Sequence, residues 1–334
     1  MLYVVMIYLW ASILLYLLLG GADFGAGIIE LFTSGKNKSR TRQTMYHAIG
    51  PIWEANHMWL IITIVILFVG FPVIYTTMSV YLHIPLAIML LGIIARGTAF
   101  AFRHHDAVID DLQKLYNNIF VYSSFITPLF LGIVAGSAVS GKIDTSASTF
   151  LDAYIFSWLH WFSLATGLFT VAICGFLAAI FIIGETSDDN ERTQFIRKAK
   201  HMTIAAFIAG ILVFLAGYYE GVPIFEWIFG NPIGLATISA ALISLIIQWI
   251  FLYRGNTNTL RILAGFQVAM LLLAVTVRHY PNIVLLKDGG SLSLLEHAGH
   301  EQTIFYLGAT LLAGSILILP ALYYLLYSFH RKTN

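Results

Sequence analysis

Apolar windows of about 20 residues recur along this chain from end to end, each long enough to cross a bilayer as a helix rising 1.5 Å per residue. Nine can be placed, at residues 3–32, 45–70, 77–102, 116–138, 153–184, 202–220, 233–253, 261–279 and 303–329. With 59% hydrophobic and only 10% charged residues, the chain departs far from the quarter or so of charge usual in soluble domains. The expected fold is therefore an all-α integral membrane protein of about nine transmembrane helices, forming a single polytopic domain over residues 1–334. Short connections favour antiparallel helix packing. Met1 to Gly20 has no basic leading region and no evident small-residue cleavage site, so it reads as part of the first span rather than a signal peptide.

Basic residues orient the spans. Lys36, Lys38, Arg40 and Arg42 fill the first connection, Arg103 and Lys114 flank the third, and Arg192, Arg197, Lys198 and Lys200 occupy the fifth. Arg254 and Arg261 bound the seventh, with Arg331 and Lys332 in the tail, while the opposite side has only Lys142, Arg278 and Lys287. The positive-inside rule then places the N-terminus outside and the C-terminus in the cytosol, which requires an odd number of spans. The longest outer connection, from about Tyr280 to Gln302, reads as a loop with one short interfacial helix.

Against this background three ionisable residues stand out, because a charge at a helix centre costs roughly 2.5–3.5 kcal/mol on insertion scales. Glu54 lies in Gly50-Pro51-Ile52-Trp53-Glu54-Ala55-Asn56-His57-Met58-Trp59, which runs straight into the second apolar window. Asp23 lies about eight residues, or roughly 12 Å, from the cytosolic end of span one, and Arg96 about seven residues from that of span three. The three share one layer of the membrane. Arg cannot discharge itself by deprotonation, so a buried network of two carboxylates and one guanidinium is expected. His47, Gly50, Glu54 and His57 recur at three and four residues and form one stripe leading inward from the cytosolic surface. Two readings stay open: a network that only fixes helix packing, and a proton relay centred on Glu54.

Other features carry less. Gly20-Gly21-Ala22-Asp23-Phe24-Gly25-Ala26-Gly27 is a small-residue face on which another helix or a planar group can approach closely. Glu30 shares a face with Asp23 but lies near enough to the cytosolic end to be solvated. His83, His160 and His279 fall near outer helix ends, where hydrated histidine is the simple expectation although haem ligation is open to them, and Glu220 is expected to be solvated. Trp53, Trp59 and Asn56 flank the acidic stripe, where packing competes with lining a haem or quinone environment. The single Cys174 excludes an internal disulfide and a multi-cysteine metal site, and no P-loop, zinc motif or nucleophile elbow is present, so no metal ligands are expected.

Three segments together resemble subunit II of the cytochrome bd-type quinol oxidases. They are Gly21-Ala22-Asp23-Phe24-Gly25-Ala26-Gly27, Gly50 to Ile61 with its Trp53-Glu54-Ala55-Asn56 core, and Ala95-Arg96-Gly97-Thr98-Ala99-Phe100-Ala101-Phe102-Arg103. The match is specific in the first third; beyond it only length and span number extend the likeness. The resemblance implies a subunit of a prokaryotic plasma-membrane oxidase that takes electrons from quinol, reduces dioxygen to water and draws protons from the cytosol. It implies two four-helix bundles plus one extra helix. It also implies a haem-bearing subunit I as heterodimeric partner, holding two b-type haems and one d-type haem, with no haem ligated by this chain. Glu54 matches the family's acidic position associated with a proton path, Asp23 the acid of the glycine-rich motif, and Arg96 the arginine late in span three. A small single-span subunit and a structural quinone are further components the resemblance admits, alongside membrane lipid; nucleic acid is not an expected partner. Some members place further acids or lysines between spans three and four, where this chain has Ala101, His104, His105 and Asn117. His104, His105, Asp106, Asp110 and Asp111 form either a proton-collecting patch or a solvated loop. The competing classes are a secondary transporter with ion-coupling acids and a haem-binding membrane cytochrome.

Overall fold

The computed structural model describes residues 1–33, 42, 44–45, 53–105, 110–183, 189–252 and 257–332, with side chains except at 53–55, 104–105, 110–111, 189, 323 and 325–332. The first span is built from α1 (Leu2–Leu15), a π-helical turn (Tyr16–Gly20) and α2 (Gly21–Leu31). Then follow α3 (Trp53–Gly70), α4 (Pro72–Tyr81), α5 (His83–His105), α6 (Asp110–Val139), α7 (Phe150–Tyr154) and α8 (Trp161–Ile183). The second half comprises α9 (Asp189–Glu220), α10 (Ile224–Phe229), α11 (Pro232–Phe251), α12 (Thr257–His279), strands β1 (Asn282–Leu285) and β2 (Ser291–Ser293), and α13 (Glu301–Lys332). Among the described residues eight helices are long and apolar enough to cross a membrane, or nine if the bent pair α3–α4 counts as one span.

That bend has a covalent cause. Pro72 at the first position of α4 offers no N–H and pushes Phe71 out of helical geometry, to φ −136° and ψ 61°. The axis turns by 113° between Asn56–Gly70 and Pro72–Tyr81. The window from residue 77 therefore starts inside the turned helix α4, and the crossing helix starts at His83. The window from residue 153 is interrupted as well. Thr149 caps α7 by accepting from the Asp152 N–H at 3.2 Å, and α8 begins only at Trp161, where Glu220 accepts from the Trp161 N–H at 2.7 Å.

The long connection before α13 differs from expectation. Residues 282–293 form a small antiparallel β-ribbon, and no helix occupies 280–300. Gly289, at φ +83°, takes the left-handed turn conformation, and Asp288 Oδ1 accepts from the Gly290 N–H at 2.9 Å. Ile283, Val284, Leu285 and Leu292 suit paired strands, and the intervening Gly289-Gly290 suits a turn rather than a helix. The ribbon is pinned to the 140–149 loop by the Lys287 N–H to Ile143 C=O bond at 2.9 Å and by the Lys287–Asp144 ion pair, also 2.9 Å. That pairing holds the half-buried Asp144 carboxyl below the usual carboxylate range, chiefly through the hydrogen bond from Lys287.

Helix α8 is the centre of the assembly. Two-thirds (67%) of its most apolar stretch is buried inside the protein, against 11% for α13, whose Ile316 and Leu317 face outward. Its small residues explain this, since Ala172, Gly175, Ala178 and Ala179 let neighbours approach the backbone. Two large apolar clusters result. One joins α2, α8, α9 and α12 through residues such as Ala26, Leu177, Phe195 and Ala264. The other joins α1, α3, α4 and the ribbon through Val5, Ile66, Phe71 and Val284.

Candidate functional site

The glycine-rich stretch of α2 is a fitted surface. A Cβ at Gly25 would overlap the Cys174 carbonyl of α8, and one at Gly27 would overlap the Ser124 hydroxyl of α6. Both glycines are thus required by close approach, which brings α2 against α6 and α8 and leaves Asp23 with no route to solvent. Asp23 and Arg96 are each 1% exposed.

These two side chains meet directly. Arg96 Nη1 donates to Asp23 Oδ2 at 2.7 Å and Nη2 to Oδ1 at 2.7 Å, the fork-to-fork geometry only a guanidinium supplies. Nη2 also donates to the Asp23 backbone carbonyl at 2.9 Å, and Nε to Ser124 Oγ at 3.0 Å. The guanidinium carbon lies 5.0 Å from the Phe24 ring centroid and 4.8 Å from that of Phe120. Four hydrogen bonds to carboxylate, carbonyl and hydroxyl thus engage all three Arg96 nitrogens, and two aromatic rings pack against the guanidinium.

A second layer repeats the first. Arg103 Nη2 donates to Glu30 Oε2 at 2.9 Å, and Arg42 Nε to Glu30 Oε1 at 2.8 Å. Asp23 and Glu30 are seven residues apart, as are Arg96 and Arg103, so two parallel helices carry matching acids and arginines two turns apart, about 10 Å along the axis. Phe120 separates the layers, with Arg103 4.8 Å from its centroid on the other side. Glu30 is 2% exposed, which corrects the expectation that it is solvated. The described network holds two carboxylates and three guanidinium groups, so it is not net acidic; the Glu54 carboxylate would bring it to formal neutrality.

Of the other expected site residues, His57 Nε2 lies 3.9 Å from Asp23 Oδ2, beyond hydrogen-bond range but in the same layer. Asn56 is buried, and Trp59 is buried against Tyr16 and Phe24. Trp53 and Glu54 belong to α3, one turn before His57, but their side chains lie outside the described residues, as does all of His47. Asp106 lies outside them too, with the side chains of His104, His105, Asp110 and Asp111. Ser124, Phe120, Glu30, Arg103 and Tyr16 are members that sequence reasoning did not assign. The seven-residue repeat of acid and arginine was a signal for the second layer, whereas nothing in the sequence marks Phe120 as a spacer.

At the opposite end His160 and Glu220 form a partly buried pair at 3.0 Å, and Glu220 also accepts the first N–H groups of α8. Burial pushes the His160 imidazolium down from its ordinary range, with Glu220 opposing. Neither residue is the hydrated side chain expected from its position. His279 is buried as well, its Nδ1–H donating to the Val275 carbonyl at 2.9 Å, while His83 is exposed. Among the described residues no three His, Cys, Asp or Glu side chains converge.

This arrangement can be set beside known proteins. Cytochrome bd ubiquinol oxidase subunit 2 of Bacillus subtilis is 29% identical over 203 residues, covering 60% of this chain and 58% of that protein. Cytochrome bd-I ubiquinol oxidase subunit 2 of Escherichia coli is 23% identical over 227 residues, covering 65% of this chain and 58% of that one. The matched part thus spans under two-thirds of the length of these relatives. A chain in the structure of bd oxidase from Geobacillus thermodenitrificans superimposes with a TM-score of 0.79 at 18% identity, over 98% of both chains, so the fold is shared. The family model for cytochrome bd terminal oxidase subunit II matches residues 1–329, and the chain belongs to that family.

Proposed function

We propose that the chain serves as subunit II of a bd-type quinol:oxygen oxidoreductase in a prokaryotic cytoplasmic membrane, and that it supplies part of a proton path from the cytosol. In this reading residues 1–334 form one membrane domain with the N-terminus outside, and the face bearing Arg42 and Arg103 is cytosolic. Haem, two b-type groups and one d-type, resides in a partner subunit I and supplies electron transfer and oxygen reduction. The residues of this chain hold and move protons. The observation that carries the proposal is the column of ionisable side chains running inward from Arg42–Glu30–Arg103 to Asp23–Arg96–His57 beside the Glu54 position.

The geometry divides the roles. Both Asp23 oxygens accept guanidinium N–H bonds, which suits Asp23 to holding a fixed charge rather than exchanging a proton. Arg96 is equally committed. Glu54, one turn from His57, is then the mobile carrier, working in the field of the fixed pair, with His57 and His47 along its stripe. Asn56 and Trp59 are buried beside that stripe, and with Trp53 they are the candidate positions toward the haem or quinone. A structural quinone and a small single-span subunit are tested by lipid extraction and intact mass of the purified complex.

Glu54→Gln is expected to lower oxygen-reducing turnover about a hundredfold, the low end of what a positioned proton-transfer group contributes, with the haem complement intact. Unchanged turnover across pH refutes the relay, and loss of all haem would assign Glu54 to assembly instead.

A further inference from the structure

Tyr16 has no role in the scheme above, yet its setting is unusual. It is 4% exposed, and its hydroxyl has no hydrogen-bond partner among the described residues. Trp59, packed in the same cluster, has a buried indole N–H that is also unpartnered. A buried donor left unmade costs free energy comparable to a lost hydrogen bond, so two in one cluster need an acceptor.

The direction of the Tyr16 ring identifies where that acceptor sits. Helical side chains ordinarily lean back over the preceding turn. Tyr16 instead lies forward over Gly20, where a Cβ would come within 2.9 Å of its ring carbons. The phenol therefore points along the helix toward the Asp23 layer. Its ring centroid is 6.4 Å from Phe24, edge-on, and 6.4 Å from the His57 imidazole. The π-helical turn and the missing side chain at Gly20 together make room for this orientation.

We propose that Tyr16 Oη and Trp59 Nε1 hold an ordered water at the inner end of the ionisable column, and that Tyr16 is a positioning residue for proton transfer. This rests on the proton-path reading. The phenol keeps its own proton and, with the Trp59 N–H, donates to the water; the water releases a proton on its far side, the two donors hold the hydroxide so formed, and a proton from the cytosolic side restores the water, so nothing is gained or lost at Tyr16. The titratable groups facing the site from neighbouring elements are Asp23 of α2, Cys174 of α8, Arg96 of α5 and His57 of α3.

The test uses the assembled oxidase in native membranes. Tyr16→Phe removes one oxygen and keeps the ring contacts with Phe24 and His57. Turnover at saturating quinol should fall about three- to tenfold, the worth of one positioning hydrogen bond, with quinol KM and the haem spectrum unchanged and a larger H2O/D2O rate ratio. Wild-type turnover and isotope effect in Tyr16→Phe overturn the proposal. Glu54→Gln, measured in parallel, separates the failures: a slow Glu54→Gln with a normal Tyr16→Phe rejects only the Tyr16 role, and two normal variants reject the path itself. If Tyr16→Phe does not assemble, a high-resolution map of the wild-type complex decides. Ordered water within hydrogen-bond distance of Tyr16 Oη supports the inference, and a protein, lipid or quinone atom in its place overturns it.

Discussion

The Asp23–Arg96 pair gives the sharpest energetic expectation. Arg96→Met removes the two 2.7 Å bonds to the carboxylate and leaves Asp23, 1% exposed, without its counter-charge. Breaking one side of a buried ion pair costs about 3–5 kcal/mol, because the stranded charge keeps its desolvation penalty. At the about 2–4 °C per kcal/mol of larger domains, thermal unfolding of the complex in detergent should shift down by about 6–20 °C. Asp23→Leu strands the guanidinium and should cost a similar amount. The double variant is the discriminating one. Replacing both charges by apolar groups removes the desolvation penalty along with the attraction, so it should lie within about 1–2 kcal/mol of the parent. Unfolding followed by tryptophan fluorescence and gel filtration reads all four corners of the cycle. Additive losses in the double variant would show that the pair is not coupled, and a silent Arg96→Met would show that Asp23 is not buried as a charge.

Two further expectations concern packing and pH. Gly25→Ala drives a methyl into the Cys174 carbonyl, a backbone atom that cannot move aside, whereas Gly27→Ala meets the Ser124 side chain; Ser124→Gly should therefore restore assembly, scored by yield of the intact complex, to Gly27→Ala and not to Gly25→Ala. At the ribbon, the lowered Asp144 pKa means that the tether from this group is present above the ordinary carboxylate range and is lost as pH falls through the depressed value. Amide exchange at residues 282–293 should quicken on that acid side, and Asp144→Asn should abolish the step while leaving the Lys287 amide protected, since it donates to the Ile143 carbonyl.

How much was legible follows from which physical rule acted. Span number came from hydropathy, which operates on every residue of a window and survives local exceptions. The layer shared by Asp23 and Arg96 came from counting residues back from the basic end, and the parallel course of the first and third spans makes that count reliable. The same arithmetic places Glu30 beside Arg103, seven residues further along both helices, but burial of Glu30 was missed because nearness to a helix end was equated with hydration. Side chains of Arg42 and Arg103 close over that end. The same error affected His160 and Glu220, where an acid from one helix caps the start of another. Both cases involve partners far apart in sequence, which hydropathy cannot see.

The π-helical turn was invisible for a different reason, and it governs the site. One extra residue in a turn rotates everything beyond it by about 100° relative to a regular helix. With a continuous α-helix Tyr16 would sit over Asp23, seven residues on. The extra residue instead sets Phe24 beneath Tyr16, edge-on at 6.4 Å, and swings Asp23 toward α5, where Arg96 grips it. The glycines at 25 and 27 then admit α8 and α6 on that rotated surface. The turn thus fixes two things at once: the acid is aimed at its arginine, and the tyrosine ring is left over Phe24 on the face from which the acid is turned away.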